Sequence, residues 1–275
     1  MENIRQAVER AKASQGDGRA QASAKTDLRA QHPQLAFGPA PAAILEPDVE
    51  LSRAHLEAKR IIAFDKSDAR ARSFDMLRAQ VLQEMDLKDW KVLGVTSPTP
   101  ACGKTLTAVN LAISIARLPE RSAVLIDLDL QKPQVARCLG LEPQNGMLSL
   151  LHGRSTLANS VAQVGIGNLS ISVLPTEGPT SGSSELIASR QMSALFQEIR
   201  KNFPSATVIV DLPPALVGDD VITVLPQIDC ALLVAAVGTS TVSEIKQCNT
   251  QLRSTEVLRL VLNKVQDAGA MYYYY

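Results

Sequence analysis

A chain of 275 residues is long enough for one large α/β domain with appendages, and its 28 Lys and Arg balance 28 Asp and Glu, so no bulk charge calls for nucleic acid or an anionic membrane. The longest apolar stretch, Ala231 to Val237, is far short of the roughly 20 residues that span a bilayer, and the N-terminus carries no signal-peptide hydrophobic region. Cys102, Cys138, Cys230 and Cys248 have neither close pairing nor histidine partners, which argues against zinc and disulfides and leaves a soluble, cytoplasmic protein with reduced thiols as the expectation.

Residues 1–48 are rich in Ala, Gln, Ser, Gly and Pro, and Pro33, Pro39, Pro41 and Pro47 interrupt any helix, so this part reads as a disordered arm. Residues 49–88 read as a helical extension. There Phe74, Leu77, Val81 and Leu82 recur at steps of three and four, an apolar stripe suited to covering a sheet or facing another subunit. From 89 to 266 apolar strands alternate with amphipathic helices: strand 91–96, helix 104–117, strand 122–127, short helices to about 163 and strand 168–174. Helix 184–202, strand 206–211, helix 219–226, strand 228–236, helix 242–254 and strand 256–262 follow. Continuous apolar strands separated by helices predict an α/β, doubly wound, mostly parallel sheet buried on both faces. Residues 267–275 read as a flexible tail that holds all four tyrosines of the chain, Tyr272, Tyr273, Tyr274 and Tyr275.

Gly103-Lys104-Thr105 lies where the first of these strands gives way to a helix, the setting of a phosphate-binding loop. Backbone N–H groups there point at oxyanions, the lysine adds a point charge for the outer phosphates, and the threonine hydroxyl suits magnesium. The full pattern asks for a glycine five residues before Gly103, where this chain has Pro98. Two later segments strengthen the reading. Ala123 to Asp129 and Ala206 to Asp211 are apolar strands that end in carboxylates, and in doubly wound sheets the ligand crevice lies at those ends. Asp127, Asp129 and Asp211 are thus aimed at phosphates held by the loop, and magnesium needs few carboxylates beyond phosphate oxygens and water. ATP or GTP chemistry is the expectation, and a mobile phenol at the chain end is a substrate able to enter such a site.

Ser97 to Thr105 followed by Asn110-Leu111-Ala112, then Leu125 to Pro133, Gly182 to Ser189, Val210-Asp211-Leu212-Pro213-Pro214 and the terminal tyrosines resemble the catalytic domain of the bacterial tyrosine autokinases of capsule and exopolysaccharide export. The resemblance spans roughly residues 70 to 275. It implies a deviant phosphate-loop NTPase fold that passes the ATP γ-phosphate to tail tyrosines of a neighbouring subunit. Pro100, Ala101, Cys102, Gly103, Lys104, Thr105 and Leu106 would bind the nucleotide, and Asn263 resembles an adenine-contacting residue. Thr105, Asp127 and Asp211 would hold Mg2+, and Lys104, Asp127 and Asp129 would be catalytic, Asp127 as the base for the phenol. It also implies homo-oligomers and a membrane-embedded activator of the polysaccharide co-polymerase type, which would keep the protein at the inner face of the cell membrane.

Two departures stand out. The family usually has Gly-Glu where this chain has Ala101-Cys102, and the Glu and two Arg used in family rings correspond to Arg72, Asp75 and Arg78. The alternative function is a partition- or division-type switch ATPase that never modifies tyrosine. Such proteins carry a lysine in place of Thr99 and often a basic amphipathic helix at the end, features this sequence does not show.

Overall fold

The computed structural model describes residues 47–265. The predicted arm up to residue 46 and the tail Tyr272–Tyr275 lie outside the described residues. The described chain begins with β1 (Val49–Glu50), α1 (Arg53–Ala58) and α2 (Ala71–Leu87), and continues as β2 (Val92–Thr96), α3 (Lys104–Ala116) and β3 (Ser122–Asp127). Three short helices, α4 (Val135–Leu139), α5 (Met147–Leu151) and α6 (Leu157–Ser160), lead to β4 (Ala162–Ile166) and β5 (Leu169–Leu174). Then come α7 (Ser183–Ile187), α8 (Arg190–Asn202), β6 (Ala206–Asp211), α9 (Asp220–Val224), β7 (Cys230–Ala236), α10 (Val242–Gln251) and β8 (Glu256–Asn263).

The strands form one sheet in the order β1-β4-β5-β3-β6-β2-β7-β8. Every pairing is parallel except β4 with β5. Successive residues of a strand point to opposite faces, and here both faces are buried. Leu93, Val95, Leu125, Ile209, Leu232 and Val234 join one core, while Val92, Val124, Ile126, Val208, Val210 and Leu233 join the other. That two-sided burial is why the strands read as unbroken apolar runs.

Helix α8 shows how the layers attach: Met192, Leu195, Phe196 and Ile199 fall on one stripe and are buried, and Ser189 caps the helix by accepting from Met192 N. Helix α10 starts with a capping box in which Thr241 and Glu244 satisfy each other's backbone amides. Helix α2 resolves the two uses open to its stripe. Val81 and Leu82 are buried and Phe74 and Leu77 pack against the same core, so the helix covers this chain's own sheet. The segment before it is pinned by Asn110, a fully buried residue of α3. Its Oδ1 accepts from Ile62 N at 2.8 Å and Ala63 N at 3.0 Å, and its Nδ2 donates to the carbonyls of Arg60 and Leu106. The helical extension is therefore built into the helix that follows the phosphate loop.

One expectation changes. Residues 162–166, read as the end of a helical stretch and the turn after it, form a strand that turns back antiparallel onto β5 through Gly167-Asn168, with Gly167 at φ 64°.

Candidate active site

Strand β2 is flanked by β6 and β7, so the loop leaving its carboxyl end opens between two strand ends. Gly103 closes that loop in the left-handed conformation at φ 96°, which strains any side chain, and a Cβ there would also run into Asn263 Nδ2, so glycine suits the position. Ala101 is left-handed as well, at φ 64°, a strain of about 1–2 kcal/mol for a residue with a Cβ. The loop is braced from behind. Asn263 Nδ2 donates to Cys102 O at 2.9 Å, and the buried Cys102 Sγ lies 3.4 Å from Ser240 Oγ. At the position of Pro98 the backbone is held by the segment after β6: Leu216 N donates to Pro98 O and Ala215 N to Ser97 O.

Lys104, the first residue of α3, turns its ammonium toward the strand ends. Its Nζ is 2.8 Å from Asp129 Oδ2 and 3.4 Å from Asp211 Oδ1, and its side chain is 10% exposed. Burial alone would discharge it, but Asp211, Asp129 and Asp127 hold it above the usual lysine range, so it stays cationic. Asp127 and Asp211 end adjacent strands in register with each other, and both are fully buried. Burial, with the charge of Asp211 added, pushes the Asp127 carboxyl up to about 8. Burial also raises Asp211, against the pull of Lys104 and of Thr105, whose hydroxyl donates to Asp211 Oδ2 at 2.6 Å. One cation thus sits among three acids, an arrangement that stores affinity for further positive charge.

The predicted residues divide into a cleft wall and its support. Pro100, Ala101, Gly103, Lys104, Thr105 and Asp129 line a cleft of about 330 Å3, joined by Gln131, Lys132, Gln134, Pro213, Pro214 and Val217. Asp127 stands behind it: Oδ2 accepts from Gln134 N and Val135 N at 3.0 and 2.9 Å, and Oδ1 from Asp129 N at 3.3 Å. It therefore shapes the turn that presents Asp129. Leu106 turns its side chain into the core. Asn263 commits its amide to Cys102 in the loop. No three acidic, histidine or cysteine side chains among the described residues close into a metal cage. The Thr105 hydroxyl and the Asp211 carboxylate form a bonded pair of hard oxygens, donors of the kind that could hold magnesium beside a phosphate.

Ser240, Gln131 and the Pro213-Pro214-Val217 lip belong to the site without being among the residues expected there. The Pro-Pro pair after Asp211 was the available signal for a rigid lip, whereas nothing local marks Ser240. The ring positions also take a definite arrangement. Asp75 is 3.0 Å from Arg78 and 2.9 Å from Arg117, and it accepts from Ser114 Oγ, so Asp75 and Arg78 are tied to α3 of their own chain while Arg72 stays exposed.

No protein-family model matches the chain. The tyrosine-protein kinase CpsD of Streptococcus pneumoniae serotype 4 is 30% identical over 181 residues, 64% of this chain and 76% of CpsD. The chain belongs to the bacterial tyrosine-protein kinase family. Within that family, the putative tyrosine-protein kinase CapB of Staphylococcus aureus is 28% identical over 206 residues, 74% of this chain and 88% of CapB. The chain spans 30% of the Acinetobacter johnsonii kinase ptk, at 26% identity, so it matches one part of that longer tyrosine-protein kinase. The solved kinase domain of the Escherichia coli tyrosine kinase ETK superposes with a TM-score of 0.68 at 26% identity, covering 78% of this chain and 84% of that domain's chain. The cell division ATPase MinD of Pyrococcus furiosus shares the fold, with a TM-score of 0.52 at 18% identity. Membership makes the chain a protein-tyrosine kinase, built on a mostly parallel α/β sheet.

Proposed function

We propose that this chain is an ATP-dependent autokinase that phosphorylates its own terminal cluster, Tyr272 to Tyr275, in trans between copies, and so regulates exopolysaccharide or capsule polymerisation and export. The observation that carries the reading is the buried Lys104, ion-paired to Asp129 and Asp211 at the mouth of a phosphate loop. The lysine binds the outer phosphates of ATP, whose negative charge competes for it with the two carboxylates. Thr105 and Asp211 would hold Mg2+, which supplies neutralising charge to the transferring phosphate. In the transfer, the bond from the γ-phosphorus to its bridging oxygen breaks, a bond to the phenol oxygen forms, and the phenol proton leaves. Free tyrosine has a pKa near 10, so a carboxylate takes that proton as the phosphoryl group arrives, with Asp129, which lines the cleft, as the acceptor in place of the buried Asp127. Asp129 lines the cleft, and Asp127 holds the turn that carries it.

Each phosphate adds about −1.5 to −2 charges. A modified tail repels itself and the acidic cluster, and releases neighbouring copies. No helix among the described residues is long and apolar enough to cross a membrane. We place the chain at the inner face of the cell membrane through a membrane-embedded co-polymerase-type activator, and its working form is a homo-oligomer.

The test is incubation of the full chain with ATP and Mg2+, with and without an activator fragment, reading phosphotyrosine by mass spectrometry alongside free phosphate. Phosphotyrosine on Tyr272–Tyr275 that disappears in Lys104→Met supports the reading. Free phosphate without phosphotyrosine would show a switch ATPase instead. Phosphorylated chain and a Tyr272–Tyr275 all-Phe variant that sediment alike would remove the release step.

A further inference from the structure

The wall of the cleft contains one side chain whose orientation is dictated from behind. Gln131 is exposed and lines the cleft beside Asp129, Lys132 and the Pro213, Pro214 and Val217 lip. Its Nε2 donates to Asp220 Oδ2 at 3.1 Å and to Ser183 Oγ at 3.0 Å. Ser183 Oγ in turn donates to the same Asp220 Oδ2 at 2.7 Å. Asp220 and Ser183 are 1% and 3% exposed. Ser184 Oγ reaches Asp220 Oδ1 as well as Asp219 Oδ1, and no ion pair to Asp220 is found among the described residues.

This network leaves Gln131 one orientation. A carboxylate accepts and does not donate, and the single proton of Ser183 is directed at Asp220, so both inner partners present lone pairs. The amide nitrogen must face them. The flipped amide would set Oε1 against two acceptors in a buried setting, which is unfavourable. Oε1 is therefore turned away from the clamp, on a residue that forms the cleft wall. A buried carboxylate supplied with three neutral donors is an expensive way to fill space, but an effective way to fix an amide.

We propose that Gln131 is a substrate-positioning residue: its Oε1 accepts a hydrogen bond from a backbone N–H of the tyrosine-bearing segment, and Ser183 and Asp220 hold it in place. The Pro213, Pro214 and Val217 lip gives the phenol an apolar seat, so that its oxygen approaches the Asp129 side of the cleft. The acceptor is an extended segment from a second copy, and the proposal rests on the autokinase reading above.

The experiment uses an all-Phe Tyr272–Tyr275 chain as the enzyme and a Lys104→Met chain with its tyrosines intact as the acceptor, with an activator fragment present. Gln131→Met keeps the length and removes the acceptor atom, and Asp220→Ala removes the clamp. Each raises the KM for the acceptor chain by about five- to tenfold, the worth of one hydrogen bond, while the KM for ATP stays within about twofold. The double variant is no worse than the weaker single variant, because both changes remove the same contact. Gln131→Met is at an exposed site and keeps the proposal testable where Asp220→Ala fails to fold. An unchanged acceptor KM in Gln131→Met, or a matching rise in the KM for ATP, overturns the assignment and leaves the autokinase reading intact. No phosphotyrosine from the unmutated pair, with ATP binding preserved in calorimetry, removes the autokinase reading and this proposal with it.

Discussion

Replacing Lys104 by Met deprives three buried carboxylates of their common cation, and the structure allows the consequence to be worked through. Pairs at 2.8 and 3.4 Å are worth about 5–6 kcal/mol each in Coulomb energy at an effective dielectric of about 20. The wild-type protein meets several kcal/mol of desolvation per buried ion, so the net loss on removing one partner is about 3–5 kcal/mol. That loss depends on pH. Lys104 is held above its ordinary value, so it is charged in the folded and the unfolded chain alike between pH 5.5 and 8.5, and its own titration adds no pH dependence there. Asp127 titrates near 8 in the fold, so the advantage of its neutral form is complete below its unfolded value of about 3.9 and lost as pH rises through about 8. Lys104 softens that loss in the wild type and is missing in the variant. The stability gap between Lys104→Met and wild type therefore widens from acid to alkali, reaching the full 3–5 kcal/mol, or about 6–20 °C in Tm for a body of roughly 200 residues, near pH 8.5. At pH 5.5 Asp127 is protonated and asks for no counter-charge, so the gap shrinks below about half of that. Thermal melts of nucleotide-free protein across this range measure it. A gap that is flat with pH, or a variant more stable than wild type at pH 8.5, would refute the reasoning.

Two further variants probe the support of the site. Asn110→Ala leaves the buried amides of Ile62 and Ala63 without acceptors and should lower urea stability by about 3 kcal/mol or more; a change under about 1 kcal/mol would show that the extension is not anchored there. Ala101→Gly relieves a left-handed alanine and should raise stability by about 0.5–1 kcal/mol despite the looser unfolded chain, and a loss of Tm would mean that the alanine methyl makes contacts that outweigh the strain.

Several elements were legible in the residues themselves. Strand 206–211 and helix 242 onward follow from an apolar run and a Thr-x-x-Glu start, signals carried by neighbours in the chain. The β4–β5 hairpin also had a local signal, the two-residue Gly167-Asn168 turn, but short apolar runs such as Ala162–Ile166 suit helix and strand alike. β1 had no such signal. Two residues become a strand only because β4 offers an open edge, a partner more than a hundred positions away.

The site divides along the same line. The residues by themselves point to phosphate chemistry, because a Gly-Lys-Thr after a strand and acids at two later strand ends meet wherever a parallel sheet brings strand ends together. Only the folded chain decided which acid meets the cleft, since that depends on Asp127 turning back to the amides of Gln134 and Val135 while Asp129 reaches Lys104. Hydrogen bonds between distant segments set side-chain direction, and spacing along the chain carries no record of them. The same holds for Gln131, unremarkable as a residue in sequence and given its orientation by Ser183 and Asp220.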